Sequence, residues 1–207
     1  MQTPSAVVFD LGKVLVDFDY SIAADKIALR SRLSPAEIKH LLDHSPLLYR
    51  FETGLMTNEE FYGEVCAACG FSGKLDDFCA TFADIFWEIQ PMISVQKALR
   101  QAGIPTYIFS NTNDIAITHI RARFPFFAHF DGYVFSYEHG AMKPTAKIYE
   151  VVERVAGHQE KALVYLDDRA ENIDGGLARG WNALLHETPG KTISALRKLG
   201  LPVEIKP

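Results

Sequence analysis

The first apolar segment of the chain is short and ends at a carboxylate. Ala6–Phe9 is a continuous apolar run with two valines, and Asp10 follows it directly. A run of this length, too short for a helix, predicts a strand that is buried on both faces. Leu11–Val16, which contains Gly12, predicts a tight and irregular loop after that strand.

A different pattern runs from about Tyr20 to Glu88, where apolar positions recur at helical spacing. Phe61, Val65 and Ala68 are one such set. Two helix starts carry the capping-box arrangement, in which Ser or Thr precedes Glu by three residues: Ser34–Glu37 and Thr57–Glu60. We therefore predict helices only in this block.

After Pro91 the pattern alternates between helices and strands. The predicted helices are Ser94–Ala102, Asp114–Arg123, Ala146–Val155, Ala170–Arg179 and Ile193–Leu199, and the predicted strands are Thr106–Phe109, Tyr133–Phe135, Ala162–Leu166 and Asn182–Leu185. Such alternation favours a parallel sheet covered on both faces. We predict an α/β fold: a doubly wound, Rossmann-like parallel sheet with an inserted all-helical cap domain. The predicted core is residues 1–16 and 90–207, and the predicted cap is 17–89.

Composition and charge limit the kinds of partner that we expect the chain to bind. The chain has 207 residues and a net charge of −5, which gives no basic footprint for nucleic acid or an anionic membrane. No apolar run reaches the length of a membrane-spanning helix. Gln2, Thr3 and Pro4 lead straight into the first strand, so no signal peptide is expected.

Three cysteines cannot all pair with one another, and we predict a cytoplasmic location. The CxxC spacing of Cys66 and Cys69 lies in an apolar helix, where packing is expected.

Polar residues follow three of the predicted strands. Asp10 follows the first strand, Ser110-Asn111 the second, and Asp167-Asp168 a later one, while Lys143 lies in a loop just before a helix. Ligands of open parallel sheets bind outside the carboxyl ends of the strands. We therefore expect three carboxylates, a cation and a hydroxyl to meet in one pocket.

Three neighbouring carboxylates repel one another, so a divalent cation is their natural partner, and a set of hard oxygen ligands favours Mg²⁺. Asp10 is the predicted nucleophile towards phosphorus. Ser110 and the backbone N–H groups near Asn111 are expected to bind phosphoryl oxygens, and Lys143 to stabilise negative charge in the transition state. Asp168 is the predicted direct metal ligand.

Four segments, taken in order, resemble the motifs of the haloacid dehalogenase-like hydrolase superfamily. They are Val8–Val14, Phe109–Thr112, Lys143-Pro144 and Leu166–Asn172. The resemblance implies a phosphatase with an aspartyl-phosphate intermediate on Asp10 and a helical cap of the kind inserted between the first and second motifs. Asp167 and Asn172 are then expected to hold the direct metal ligands in place or to bind the metal through water. DLGKVLVDFD (10–19), Phe51–Gly54 and Gly140–Tyr149 are similar to a branch of bacterial sugar phosphatases that includes the α-D-glucose-1-phosphate phosphatases.

The chain departs from this pattern at Gly12. Phosphatases of the superfamily usually carry a second Asp there, which protonates the leaving oxygen and later activates water. The backbone carbonyl of Gly12 can still bind the metal, but the acid–base role is vacant. General acid–base help is worth about 10²–10⁴ in rate. Its absence favours substrates with a low-pKa leaving group, such as an anomeric sugar oxygen. Asp17, Asp19 and Glu52 are candidates to supply the missing acid from the cap side.

These observations predict a Mg²⁺-dependent phosphatase that acts on small phosphorylated molecules, sugar phosphates such as hexose-1-phosphate in particular. Two alternatives stay open. One is a metal-independent 2-haloacid dehalogenase, although such enzymes typically carry Tyr at the position of Gly12. The other is a catalytically impaired protein that binds phosphometabolites. Both a monomer and a homodimer are compatible with the sequence.

Overall fold

The fold is described from a computed structural model of residues 4–43 and 45–203. The strands are β1 (Ala6–Phe9), β2 (Val16–Phe18), β3 (Phe86–Glu88), β4 (Thr106–Ser110), β5 (Gly132–Phe135), β6 (Leu163–Asp167) and β7 (Asn182–Leu185). The α-helices are α1 (Tyr20–Ala28), α2 (Pro35–Leu42), α3 (Pro46–Glu52), α4 (Asn58–Cys69), α5 (Leu75–Ala83), α6 (Gln90–Gln101), α7 (Asp114–Arg123), α8 (Ser136–His139), α9 (Ala146–Ala156), α10 (Ala170–Ala178) and α11 (Pro189–Lys198). Two short 3-10 helices cover Pro125–His129 and Glu160–Ala162.

Five parallel strands form the central sheet in the order β5-β4-β1-β6-β7. β1 is the middle strand, and its side chains alternate between two apolar layers. Val7 and Phe9 pack against α6, α7 and α11, whereas Ala6 and Val8 pack against α9 and α10. Burial on both faces explains why this strand is apolar without interruption. The prediction of a doubly wound, Rossmann-like α/β fold is confirmed.

A second, two-stranded sheet was not predicted. β2 and β3 pair antiparallel, with Asp17 opposite Trp87. The expectation of helices only between Tyr20 and Glu88 is therefore wrong at its end, since Phe86–Glu88 is a strand, and the segment 17–89 is not all-helical. Strands of three residues are too short to show a period of two, which is why the pattern did not reveal them.

The helices α1 to α5 enclose an apolar cluster of their own, built largely from aromatic rings. Phe51 stacks on Phe61 with ring centroids 4.2 Å apart, and Phe78 and Phe82 continue the cluster. Ile115 of α7 also contacts it, so the cluster is continuous with the rest of the molecule at one edge. The domain limits 1–16, 17–89 and 90–207 stay a prediction, and of these residues 1–3, 44 and 204–207 lie outside the described part.

The end of α3 is docked on the segment that contains α8. The Ser136 hydroxyl donates to the backbone carbonyl of Glu52 at 2.5 Å. Gly54 has a φ of +75°, and a Cβ atom there would lie 2.1 Å from the backbone oxygen of Tyr137. The Thr53 hydroxyl also approaches the sulfur of Met142 at 2.9 Å. These contacts fix Phe51–Gly54 against the loop that carries Lys143.

The helices and the cysteines bear on what the composition predicted. Along the described ranges, no helix is long and apolar enough to cross a membrane. Cys66, Cys69 and Cys79 are free thiols, and Cys69 is buried in the apolar cluster of α1 to α5.

Gly54→Ala is expected to lower the free energy of unfolding by at least about 1–3 kcal/mol, because it adds a left-handed non-glycine residue and a backbone clash. Gly63→Ala is the matched control. A Cβ at position 63, inside α4, meets nothing within 4 Å, so this change should stabilise the protein by about 0.5–1 kcal/mol. Urea unfolding of both variants measures the difference. Equal stability of the two would contradict the docking described for Gly54.

Candidate active site

The candidate site lies at the carboxyl end of β1, where the strand order reverses between β4 and β6. Asp10 is the first residue beyond the strand, and its backbone N–H donates to the carbonyl of Leu166 at 2.8 Å. A cavity of about 600 Å³ opens above it. Its floor comes from the ends of β1, β4 and β6, and its roof from β2, β3, α1, α2 and α3.

Lys143 is the buried cation of the site. Its side chain is 1% exposed, and its Nζ lies 3.0 Å from Asp10 Oδ1 and 2.7 Å from Asp167 Oδ2. The third donor direction is taken by the carbonyl of Phe109 at 3.0 Å. The Lys143–Pro144 peptide bond is cis. The ammonium group thus links the ends of three neighbouring strands.

Asp167 is fully engaged by the protein. Its Oδ2 accepts from Lys143 and from the Tyr165 hydroxyl, and its Oδ1 accepts from the Arg169 backbone N–H and from Asn172 Nδ2, both at 2.9 Å. Burial opposes ionisation of Asp167, but Lys143 and these hydrogen bonds hold its pKa below the usual value. Asp167 therefore positions Lys143, and Asn172 in turn positions Asp167.

Asn111, a predicted substrate-binding residue, uses its side chain to hold the lysine loop. Its Oδ1 accepts from the Lys143 backbone N–H at 2.8 Å, and its Nδ2 donates to the Lys143 carbonyl at 3.1 Å. Ser110 is buried at the cavity wall, and its hydroxyl contacts only the neighbouring Asn111 carbonyl, at 3.3 Å, among the described residues. The helix that follows is capped by Asn113, so the Ser110 hydroxyl is not used as a cap.

The carboxylates outnumber the cation. Oxygen atoms of Asp10, Asp167 and Asp168 lie within 4.8 Å of one another, and among the described residues Lys143 is the one cation paired with them. Burial raises the pKa of Asp10 well above its usual value; Lys143 opposes this rise, and Asp167 and Asp168 add to it. Burial and the charge of Asp167 also raise the pKa of Asp168.

This excess of buried negative charge fits a divalent cation. The donor set consists of hard carboxylate oxygens, with the backbone at Gly12 in the same cavity, which suits Mg²⁺. Asp10 and Asp168 have oxygens free for such an ion, whereas the two Asp167 oxygens already carry four hydrogen bonds.

The space beside Gly12 is filled by an aromatic ring. A Cβ atom at position 12 would lie 3.0 Å from Cε1 of Phe18, the last residue of β2. Lys13, with a left-handed φ of 59°, donates to the Phe18 carbonyl and lies over its ring at 4.5 Å. A longer side chain at position 12 would therefore meet Phe18 where the usual second Asp stands.

Sequence reasoning missed two residues that build the site. Tyr165 lies two positions before Asp167 on the same face of β6, and that spacing alone is a signal that its hydroxyl can reach the carboxylate. Ser136 binds the backbone of Thr112 and the Glu52 carbonyl, and nothing in its local sequence distinguishes it from other loop serines.

Comparison with known proteins decides the family. A family model for haloacid dehalogenase-like hydrolases matches residues 4–180. The chain belongs to the haloacid dehalogenase-like hydrolases. A sesquiterpene phosphatase of Aspergillus oryzae is 24% identical over 200 residues, which cover 95% of this chain and 97% of that protein.

Solved structures of haloacid dehalogenase-like hydrolases share the fold. A family enzyme of Bacteroides thetaiotaomicron in complex with magnesium and inorganic phosphate matches with a TM-score of 0.78 at 22% identity, over 88% of this chain and 93% of that one. L-2-haloacid dehalogenase of Xanthobacter autotrophicus matches with a TM-score of 0.65 at 18% identity, over 93% of this chain and 81% of that one. The family predicted from the four motifs is confirmed.

Removing Asp167 is expected to leave a buried ammonium short of a partner. Asp167→Ala should cost about 3–5 kcal/mol of unfolding free energy in metal-free buffer. Lys143→Met should also destabilise, because Asp10 and Asp167 then face each other without a cation. The double variant removes the ammonium group and the Asp167 carboxylate together, so its loss should be smaller than the sum of the two single losses. Urea unfolding of the four proteins gives this coupling, and strict additivity would contradict the ion pair.

Proposed function

We propose that this hydrolase is a Mg²⁺-dependent phosphatase that acts on small phosphomonoesters through an aspartyl-phosphate on Asp10. The observation that carries the proposal is the arrangement at the end of β1. Asp10 projects into the cavity beside a buried lysine, 3.0 Å away, and beside a cluster of carboxylate oxygens that needs a further cation. A dianionic phosphoryl group is the ligand that such a cation and lysine would hold together.

In the first step a carboxylate oxygen of Asp10 attacks phosphorus, and the bond from phosphorus to the leaving oxygen breaks. We expect Lys143 to stabilise charge on the phosphoryl oxygens, and Ser110 and backbone N–H groups near Asn111 to donate to them. Bound Mg²⁺ supplies the positive charge that keeps Asp10 ionised and offsets the charge of the phosphoryl group. Asp10, Asp168 and the Gly12 carbonyl would hold it.

In the second step water attacks the phosphorus of the aspartyl-phosphate. The bond from phosphorus to Asp10 breaks, and inorganic phosphate leaves with the carboxylate restored. Asp167 takes no direct part in either step; it keeps Lys143 charged and in place.

Sugar phosphates are the first substrate class we propose. The wall of the cavity formed by α2, α3 and the loop after β6 is polar, and Lys39, Asp43, Glu52 and Arg169 line it. Such groups suit the hydroxyls of a hexose. An anomeric leaving oxygen also suits a site with Gly12 at the usual acid position, which favours hexose-1-phosphate.

A terpenyl phosphate is the second candidate. The wall of the cavity formed by β2, β3 and the start of α1 carries aromatic rings, with Phe18, Tyr20, Phe86 and Trp87 among its members. Together with the similarity to a sesquiterpene phosphatase, this wall favours a hydrophobic alcohol as the leaving group.

A 2-haloacid dehalogenase is the less favoured alternative. Its nucleophile would need no cation, whereas the present site has three carboxylates and one paired lysine. A phosphometabolite-binding protein without turnover is also disfavoured, because Asp10, Lys143 and Asp168 all share the cavity. The cytoplasmic location and the choice between monomer and homodimer stay predictions.

Phosphate release tests the proposal. The panel contains p-nitrophenyl phosphate, glucose-1-phosphate, glucose-6-phosphate and farnesyl phosphate, each with Mg²⁺ and with chelator. We expect turnover that requires Mg²⁺ and that Asp10→Asn abolishes, because the amide cannot act as the nucleophile. A preference for glucose-1-phosphate supports the sugar class, and a preference for farnesyl phosphate supports the terpenyl class.

Glu64→Gln is the control for a generic change in the helical segment, because Glu64 is exposed and pairs only with Arg50 among the described residues. It should keep wild-type rates. Activity that survives both chelator and Asp10→Asn, or halide release from 2-haloacids without metal, would overturn the phosphatase proposal.

A further inference from the structure

The site lacks a proton donor at the usual place. Gly12 has no side chain, and the Phe18 ring occupies the space that a longer residue would need. A phosphomonoester with a poor leaving group requires a proton at the departing oxygen as the bond to phosphorus breaks. For such a substrate, a donor must reach that oxygen from another wall of the cavity.

Two carboxylates of the roof, Asp17 and Asp19, already have hydrogen-bond partners. Asp17 pairs with Lys13 and accepts from the Phe18 backbone N–H at 2.8 Å. Asp19 caps α1, where its Oδ1 accepts from the Ser21 N–H at 2.8 Å, and these hydrogen bonds from Ser21 hold the pKa of Asp19 below its usual value. Both carboxyl groups are therefore held by hydrogen bonds to nearby residues of their own segment.

Asp43 is a third carboxylate of the roof. Its Oδ2 lies 3.9 Å from Lys39 Nζ, and the residue ends α2. Asp43 is therefore already engaged with other residues of the roof.

Glu52 differs from these three. It lines the same cavity as Asp10, it is half-buried, and no hydrogen bond or ion pair reaches its carboxyl group from the described residues. Its backbone is fixed by the Ser136 hydroxyl and by the close approach of Gly54 to Tyr137. The side chain therefore starts from a rigid point on the roof and faces the cavity.

We infer that Glu52 is the general acid and base of this enzyme, taking the place of the carboxylate that Gly12 lacks. The inference rests on the proposed phosphatase function. It assigns a catalytic residue to the helical segment rather than to the loop that follows β1.

The protonation state of Glu52 agrees with this role. Burial raises the pKa of Glu52 to about 8, and the charge of Asp43 contributes to the rise. Arg169 and Lys143 oppose it. Among the described residues, the charged and titratable groups that act on Glu52 are Tyr20 of α1, Asp43 after α2, Lys143, and Arg169 after β6, and Lys39 of α2 lines the same cavity. Near neutral pH the group is therefore mostly a carboxylic acid, the form a proton donor requires.

The two half-reactions balance with this residue alone. As Asp10 bonds to phosphorus, the bond to the leaving oxygen breaks, and the Glu52 proton goes to that oxygen to give the free alcohol. The Glu52 carboxylate then takes a proton from water while the water oxygen bonds to phosphorus. The bond from phosphorus to Asp10 breaks, inorganic phosphate forms, and Glu52 is again an acid.

A proton donor at this place widens the substrate range. Without it, Gly12 would restrict the enzyme to leaving groups that depart as stable anions. With it, simple alkyl and aryl alcohols become acceptable leaving groups. The substrate is then chosen by the fit of its alcohol in the cavity.

The test compares phenyl phosphate with p-nitrophenyl phosphate, which have nearly the same shape but different leaving groups. For Glu52→Gln we expect kcat/KM on phenyl phosphate to fall by about 10²–10⁴. On p-nitrophenyl phosphate the fall should be much smaller, because nitrophenolate departs without a proton. A burst of nitrophenolate should then precede slow steady turnover, because the base for the second step is missing.

The pH profile gives a second readout. For wild type on phenyl phosphate, kcat/KM should decline as pH rises through about 8, because the acid form of Glu52 is lost. This decline should be absent in Glu52→Gln and should return in Glu52→Asp, which restores a carboxylic acid. Glu64→Gln, the same chemical change at an exposed position, should match wild type on both substrates.

The outcomes separate the two proposals. Equal losses on both substrates, or a change in KM alone, would overturn the acid–base role and leave Glu52 as a binding residue. No loss in Glu52→Gln would overturn it as well. An absence of Mg²⁺-dependent turnover in wild type on either substrate would instead overturn the phosphatase function, and this inference with it.

Discussion

The ammonium group of Lys143 is the interaction on which the site depends. It lies 3.0 Å from Asp10 and 2.7 Å from Asp167, so it joins the carboxyl ends of β1 and β6, and its bond to the Phe109 carbonyl adds the end of β4. A buried lysine is tolerated only with good partners, and removing one partner is costly. Asn111 holds its backbone and Tyr165 holds its counter-ion, so the lysine loop, β4 and β6 are fixed relative to the nucleophile.

The same arrangement leaves negative charge in excess. Lys143 is shared between two carboxylates, and Asp168 adds a third. One divalent cation would neutralise the charge that the three carboxylates and Lys143 leave. A site with this charge can bind both a metal and a phosphoryl group. The local charge at the end of β1 thus follows from three carboxylates that share one paired lysine among the described residues.

Much of this organisation could be predicted from the sequence. Asp10, Ser110 and Asp168 were expected at strand ends because polar residues end apolar runs, and the parallel order of the strands brings them together. The sequence alone could not show that Lys143 pairs with Asp10 and Asp167. Along the chain, Asp10 is more than a hundred positions from Lys143, and Asp167 is about twenty positions from it. The strands β2 and β3 were missed because three residues carry no period, and the orientation of Phe18 over Gly12 depends on that pairing.

The antiparallel pairing of β2 with β3 places the start and the end of the helical segment side by side. Val16 lies opposite Glu88, so the segment that contains α1 to α5 begins and ends at neighbouring points. A segment inserted between two adjacent points can change in length and sequence with little effect on the strands that flank it. Natural variation can therefore act on most of α1 to α5, provided that Glu52 and the contacts that hold the end of α3 are kept, while the nucleophile and its lysine stay unchanged. Changes of substrate can then arise in the inserted segment while one residue of α3 and the ends of the central strands keep the chemistry constant.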